Sequence, residues 1–122
     1  MDDSVLKSVK KMLGIHEDYD VFDKDIIMHI NSVFFTLHQL GVGPAEGFSI
    51  GDSVDVWDDF IPQSALLNAV KPYVGLKVRL LFDPPTTSSV LDSINRMINE
   101  YEWRINIEVE NTKREEEIQD AK

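Results

Sequence analysis

Residues 88–108 read SSVLDSINRMINEYEWRINIE and carry the clearest structural pattern in this 122-residue chain. Apolar side chains recur at the a and d positions of two heptads: Leu91, Ile94, Ile98, Tyr101 and Ile105. On another face, charges alternate in sign every four residues: Asp92, Arg96, Glu100, Arg104 and Glu108. The first pattern predicts one buried helical stripe, and each neighbouring charge pair stabilises a helix by about 0.2–0.5 kcal/mol. We therefore predict a helix over 87–108.

Three further helices are predicted upstream, at roughly 4–13, 23–40 and 64–82. The first places apolar side chains at helical spacing on one side, with Lys7, Lys10 and Lys11 opposite them. The second repeats the apolar spacing from Ile26 to Leu40. With the last helix, these segments predict an all-α fold of about four helices.

The third predicted helix, 64–82, is apolar on nearly every side, which indicates burial by several neighbours. Pro72 interrupts it, removes one backbone donor and clashes with the carbonyl of Asn68. We expect a kink or a break there. The helix must end at Asp83, because the residue before a proline avoids the helical region.

A long connection, residues 41–63, separates the second and third predicted helices and is rich in glycine and proline. Its large apolar residues predict a packed loop or a docking surface: Phe48, Ile50, Trp57, Phe60 and Ile61. Residues 54–57 alternate as a short strand would. Trp57 lies among carboxylates, where it either fills the chain's own core or anchors a partner.

The C-terminal residues divide the chain into a predicted helical domain, 1–109, and a tail, 110–122. The tail contains Glu115-Glu116-Glu117 and almost no apolar side chains, so we expect it to be flexible and acidic. Ile105, Ile107 and Val109 alternate, and a strand at the end of the last helix is the alternative there.

Charge and composition exclude several classes of protein. The net charge is -10, and no cysteine is present, which excludes disulfide scaffolds and cysteine-based metal sites. An acidic surface argues against binding to a nucleic-acid backbone, which needs clustered Lys and Arg, and against an anionic membrane. We therefore expect no sequence-specific binding of nucleic acid. No apolar run reaches the roughly 18 residues of a membrane span, and the acidic N-terminus does not resemble a secretory signal.

One segment departs from this acidic balance. Between Asp59 and Asp83 the chain has no acidic residue, whereas Lys71, Lys77 and Arg79 lie inside. These cations either extend from a core helix to solvent or form a small basic patch that faces an acidic partner or nucleic acid.

No motif in the chain predicts catalysis. Residues 16–25 are rich in carboxylates, but the calcium-loop template fails because Asp23 stands where it requires glycine and His29 where it requires glutamate. His29 and His38 are nine residues apart on one predicted helix and so point to opposite sides. We therefore predict no enzymatic activity, and no catalytic, cofactor-binding or metal-binding residue.

The candidate functional residues form a subunit or partner interface: Trp57, Phe60, Trp103 and Arg104. Trp103 falls off the a/d stripe of the last helix, which indicates a second contact face. We expect the 44–61 loop to supply one surface and the last helix another.

The order of segments over residues 4–108 resembles the small head–tail connector, or neck adaptor, proteins of tailed bacteriophages. The resemblance is strongest to those of phages and prophages of Gram-positive hosts. The strings that carry it are Met12-Leu13-Gly14-Ile15, Leu40-Gly41-Val42-Gly43, Trp57-Asp58-Asp59-Phe60, Leu81-Phe82-Asp83-Pro84-Pro85 and Glu102-Trp103-Arg104.

This resemblance implies a mainly helical structural protein of the virion neck, assembled in the host cytoplasm. Such proteins form a ring of about a dozen copies under the portal protein, extend the DNA channel and dock the stopper or tail. They have no enzymatic activity and no cofactor, and they touch the channel DNA only passively.

Three alternatives stay open at the level of the sequence. The acidic charge also fits a DNA-mimic inhibitor of a nucleic-acid enzyme, although the carboxylates cluster in loops and do not track along helices. Another small phage head-completion protein would share the same features. A metal-dependent enzyme would use the acids of 16–25.

Overall fold

The computed structural model describes residues 3–120, and it confirms the all-α prediction. The described chain forms five helices: α1 (Val5–Met12), α2 (Asp23–Gln39), α3 (Trp57–Phe60), α4 (Ala65–Phe82) and α5 (Ser88–Asp120). Four of them begin within one residue of their predicted starts, and α3 lies in the segment expected to be a loop. Within residues 3–120, β pairing is limited to an isolated antiparallel bridge between Ser4 and Val56.

Helix α4 is the central element and packs against α1, α2 and α5. Its buried side chains on several sides explain the nearly all-round apolar sequence: Leu67, Val70, Tyr73, Val74 and Val78. The hydroxyl of Tyr73 donates a 2.9 Å hydrogen bond to Glu102 on α5. Burial, that hydrogen bond and the charge of Glu102 raise the pKa of Tyr73 far above its ordinary value, so the hydroxyl stays protonated and ties α4 to α5.

The prediction of a helix break at Pro72 is wrong, because Ala65–Phe82 is one uninterrupted helix. Pro72 supplies no N–H to the carbonyl of Asn68, a defect that costs about 3 kcal/mol in a helix interior. Tyr73, Val74 and Val78 are fully buried on the C-terminal side of the proline. Packing of those side chains outweighs one missing hydrogen bond. The alternative, a kink at Pro72, stays a prediction.

Helix α5 is longer than predicted, which corrects both the end at 108 and the strand alternative at its end. It continues to Asp120, and its last buried side chain is Val109. No glycine or proline follows Pro85, and residues 110–120 are dominated by good helix formers such as Glu, Lys and Arg. The expected flexible tail is therefore helical over 110–120, while Ala121 and Lys122 lie outside the described residues.

None of the helices in residues 3–120 is both long enough and apolar enough to cross a membrane. Although α5 has 33 residues, its sequence is too polar to cross a bilayer.

Candidate interaction surfaces

Trp57 and Phe60, two of the four predicted interface residues, lie in the core of the protomer. Their exposed fractions are 0% and 4%. The indole N–H of Trp57 donates a 3.1 Å hydrogen bond to the hydroxyl of Ser8. This position corrects their assignment as side chains that contact a partner: of the two roles left open for Trp57, the structure shows the core.

The loop is packed onto α2 through aromatic rings, which explains the burial of its large side chains. Phe34 lies at the centre, with ring centroids 5.1 Å from Phe48, 6.0 Å from Trp57 and 4.6 Å from Phe60. Trp57, Phe60 and Ile61 stand three and four residues apart, the spacing of one helical turn. That spacing was the signal for α3, and the surrounding carboxylates obscured it.

Two polar anchors hold the middle of this loop. The Asn31 side chain accepts the N–H of Ile50 at 2.7 Å and donates to the carbonyl of Ile50 at 3.0 Å. Five residues further along the loop, the carbonyl of Asp55 accepts a hydrogen bond from Val5 N–H at 3.0 Å. The predicted strand at 54–57 is thus reduced to one bridge beside α1, and the loop is a fixed part of the protomer surface.

The acidic segment 16–25 is organised by Lys10, a residue that the helical pattern assigned to solvent. The Lys10 side chain is only 1% exposed. Its ammonium donates to the carbonyls of Glu17 at 3.0 Å and Tyr19 at 2.7 Å, and it lies 2.8 Å from a carboxylate oxygen of Asp23. Among residues 3–120, no three His, Asp or Glu side chains come together in a way that could hold a metal ion.

Trp103 and Arg104, the other two predicted interface residues, lie on the surface of α5. The Trp103 side chain is 63% exposed, and the Arg104 guanidinium pairs with Glu100 at 2.8 Å. Both line a shallow cavity of about 280 Å³ whose α4 wall is formed by Ala65 and Ala69. The structure therefore brings Trp103 and Arg104 together and separates them from the buried Trp57 and Phe60.

A second exposed apolar surface lies on α2, where Met28 and Phe35 are each 61% exposed. They are seven residues apart, so they share one face of the helix. The apolar pattern of the sequence does not single out this pair, because both residues stand beside the buried stripe and resemble its continuation.

A larger groove runs between α4 and α5 and was also missed. It has a volume of about 600 Å³ and mainly apolar walls that include Leu76, Val90 and Met97. Arg79 also lines it. The guanidinium Nε of Arg79 is buried and has no hydrogen-bond partner among residues 3–120. The acid-free segment 60–82 was the sequence signal for this basic site.

The last three turns of α5 form a surface of a different kind. All side chains of residues 110–120 are exposed. They include five acidic and two basic residues, a net charge of -3. Ile118 is the single large apolar residue between 110 and 120, and it is 52% exposed.

Comparison with known proteins gives one match, to a family model. No curated protein and no solved structure matches the chain. A family model described as "Phage connector protein" matches residues 5–112, which include α1 to α4 and most of α5. A match over most of the chain shows the family, and the chain therefore belongs to the phage connector proteins, the head–tail connectors of bacteriophages.

Proposed function

We propose that this protein is a structural component of the virion neck that assembles as a ring under the portal protein. In that position it extends the DNA channel and docks the tail or a stopper protein. The observation that carries the proposal, beside the family, is the exposure of Trp103 on a helix whose other stripe is already buried in the protomer.

Ring assembly needs two different surfaces on each subunit, because a closed ring of three or more subunits is built from head-to-tail contacts. The protomer offers exposed apolar side chains on separate helices, Trp103 on α5 and the Met28–Phe35 pair on α2. Exposed apolar side chains that cluster on one face are typical of protein interfaces. This arrangement supports self-association and contact with portal and tail proteins.

We assign the Trp103–Arg104 surface to contact with a neighbouring subunit or partner. The 44–61 loop keeps a proposed interface role only through its exposed part, where Val54 is 76% exposed. Trp57 and Phe60 stabilise the conformation of that loop by packing against Phe34 in the core.

The net charge of -10 supports passive contact with channel DNA. Carboxylates repel phosphates, so an acidic wall lets DNA slide where a basic wall would retain it. We propose neither catalysis nor a cofactor, and we place the protein in the host cytoplasm until it joins the neck. A tailed phage or prophage of a Gram-positive host is the proposed source.

Light scattering on the purified protein tests this function, over a concentration series with and without the cognate portal protein. We expect a ring of 13.9 kDa subunits, formed alone or on the portal. A protein that stays monomeric and ignores the portal at the highest concentration would contradict the proposed function.

The two tryptophans provide a matched pair of variants for the interface assignment. Trp103→Ser should leave the melting temperature nearly unchanged and weaken assembly, since its side chain is exposed. Trp57→Ser should lower the free energy of unfolding by about 3–5 kcal/mol, since its side chain fills the core. Normal assembly of folded Trp103→Ser protein would remove Trp103 from the interface.

A further inference from the structure

The groove between α4 and α5 carries a basic site without a partner. Its apolar walls include Leu76, Val90 and Met97, and Val90 and Met97 are 43% and 42% exposed. Among the described residues that line the groove, Arg79 is the single charged residue. Its Nε atom is buried and has no hydrogen-bond partner among residues 3–120. Arg79 as a whole is only partly buried, so a partner can reach the rest of its guanidinium. A guanidinium in a mainly apolar groove gains most from a carboxylate, so the groove suits an acidic segment that also carries an apolar side chain.

The exposed end of α5 has that chemistry. Residues 110–120 carry a net charge of -3 and no buried side chain. Glu115 and Ile118 are three residues apart, so they lie on one face of the helix and can enter a groove together. The two segments are complementary in charge, because α4 contains only basic ionised side chains while the end of α5 is mainly acidic.

We propose that the α4–α5 groove of one protomer binds the end of α5 from a second copy of the chain. Ile118 of that copy packs against Leu76, Val90 and Met97, and its Glu115 carboxylate accepts a hydrogen bond from Arg79. The inference rests on the proposed function, since it adds one specific contact between neighbouring subunits of the ring.

Helix geometry excludes the same contact within one protomer. Val90 and Ile118 lie on the same helix, 28 residues apart, which corresponds to about 42 Å along its axis. A groove that starts at Val90 therefore cannot receive Ile118 of its own α5. The contact joins two different surfaces, and such head-to-tail contacts form a ring when the rotation between subunits closes.

A disulfide experiment tests this contact directly, because the native chain has no cysteine. In a Val90→Cys/Ile118→Cys variant, every disulfide between the two introduced thiols must join two chains. Under oxidising conditions, with and without portal protein, we expect a ladder at multiples of 13.9 kDa on a denaturing gel, and reduction should collapse it. The matched control is Val21→Cys/Ile118→Cys, since Val21 is 66% exposed and lies outside every surface assigned to assembly.

The outcomes separate this inference from the proposed function. If light scattering shows assembly but the Val90→Cys/Ile118→Cys protein gives no more ladder than the control, the contact is wrong and ring formation stands. The Val90→Cys single variant shows whether the portal protein protects the groove from a thiol reagent. If it does, and the Val90→Cys/Ile118→Cys variant forms no ladder, the groove binds the portal and the inference is overturned. If no assembly occurs under any condition, both fail.

A charge exchange provides the second readout. Glu115→Arg alters an exposed residue, so the protomer should fold normally while self-association weakens at least tenfold. Combining it with Arg79→Glu should restore most of that loss in protein whose circular dichroism shows native helix content. Unchanged self-association of Glu115→Arg protein would overturn the proposed ion pair.

Discussion

Gly43 and Gly47 have nearly the same backbone conformation and very different surroundings. Their φ angles are +94° and +90°, in the left-handed region that L side chains rarely adopt. A Cβ at Gly43 would collide with the ring of Phe60, whereas a Cβ at Gly47 would meet nothing within 4 Å. The loop therefore needs Gly43 for conformation and for space, and Gly47 for conformation alone.

The two glycines predict a graded loss of stability. Gly47→Ala should lower the free energy of unfolding by about 1–2 kcal/mol, the cost of a left-handed L residue. Gly43→Ala should lose a further 1–3 kcal/mol or so, because Phe60 must move within a packed cluster. Urea denaturation of both variants measures the difference, and equal losses would show that Phe60 does not pack against Gly43.

Lys10 shows where periodicity misleads at the scale of one residue. The helical pattern places Lys10 beside Lys7 and Lys11 on the polar side of α1, yet the structure buries it completely. Its partners are two backbone carbonyls and Asp23, all in the segment that follows α1. Their positions depend on the path of that segment, which the spacing within α1 does not encode.

We predict that Lys10→Met destabilises the protein by about 3 kcal/mol, since it leaves a partly buried carboxylate unpaired. The figure lies at the low end of the range for buried pairs because Asp23 is 27% exposed. Lys11→Met is the matched control at an exposed position and should change stability by less than about 0.5 kcal/mol. Thermal unfolding compares the two, and similar melting temperatures would contradict the buried role of Lys10.

At the scale of elements, apolar spacing predicted α1, α2, α4 and the start of α5, because packing of one stripe dominates each of them. The same signal failed at the end of α5, since residues 110–120 bury nothing and remain helical by local propensity. The break expected from the proline rule failed at Pro72, where tertiary packing overrides a local helix breaker. Trp103 could be predicted as a surface residue from its position off the stripe, whereas the groove at Arg79 required two helices to be placed together.

The unpacked end of α5 predicts two rates of amide hydrogen exchange within one helix. Residues 110–120 should exchange faster than residues 94–109 in the free protomer, because tertiary contacts protect only the second group. Assembly should slow exchange at 110–120. Mass spectrometry of exchanged peptides measures both states, and equal protection in the free protomer would contradict the exposed position of this segment.

At the scale of the whole molecule, negative charge is concentrated in the N-terminal half of the sequence. Residues 1–60 carry a net charge of -8 and residues 61–122 a net charge of -2. The acidic majority opposes retention of DNA and nonspecific association, while exposed apolar side chains on α2 and α5 remain available for specific contacts. Family membership and these exposed apolar side chains together support a neck protein that associates with other copies of the chain and with the portal.

Electron microscopy of the portal protein mixed with this protein tests that account most directly. The account predicts an added ring at one end of the portal, coaxial with its channel and built from many copies of the 13.9 kDa chain. Portal particles that look the same with and without the protein, at concentrations well above those expected in the infected cell, would contradict it.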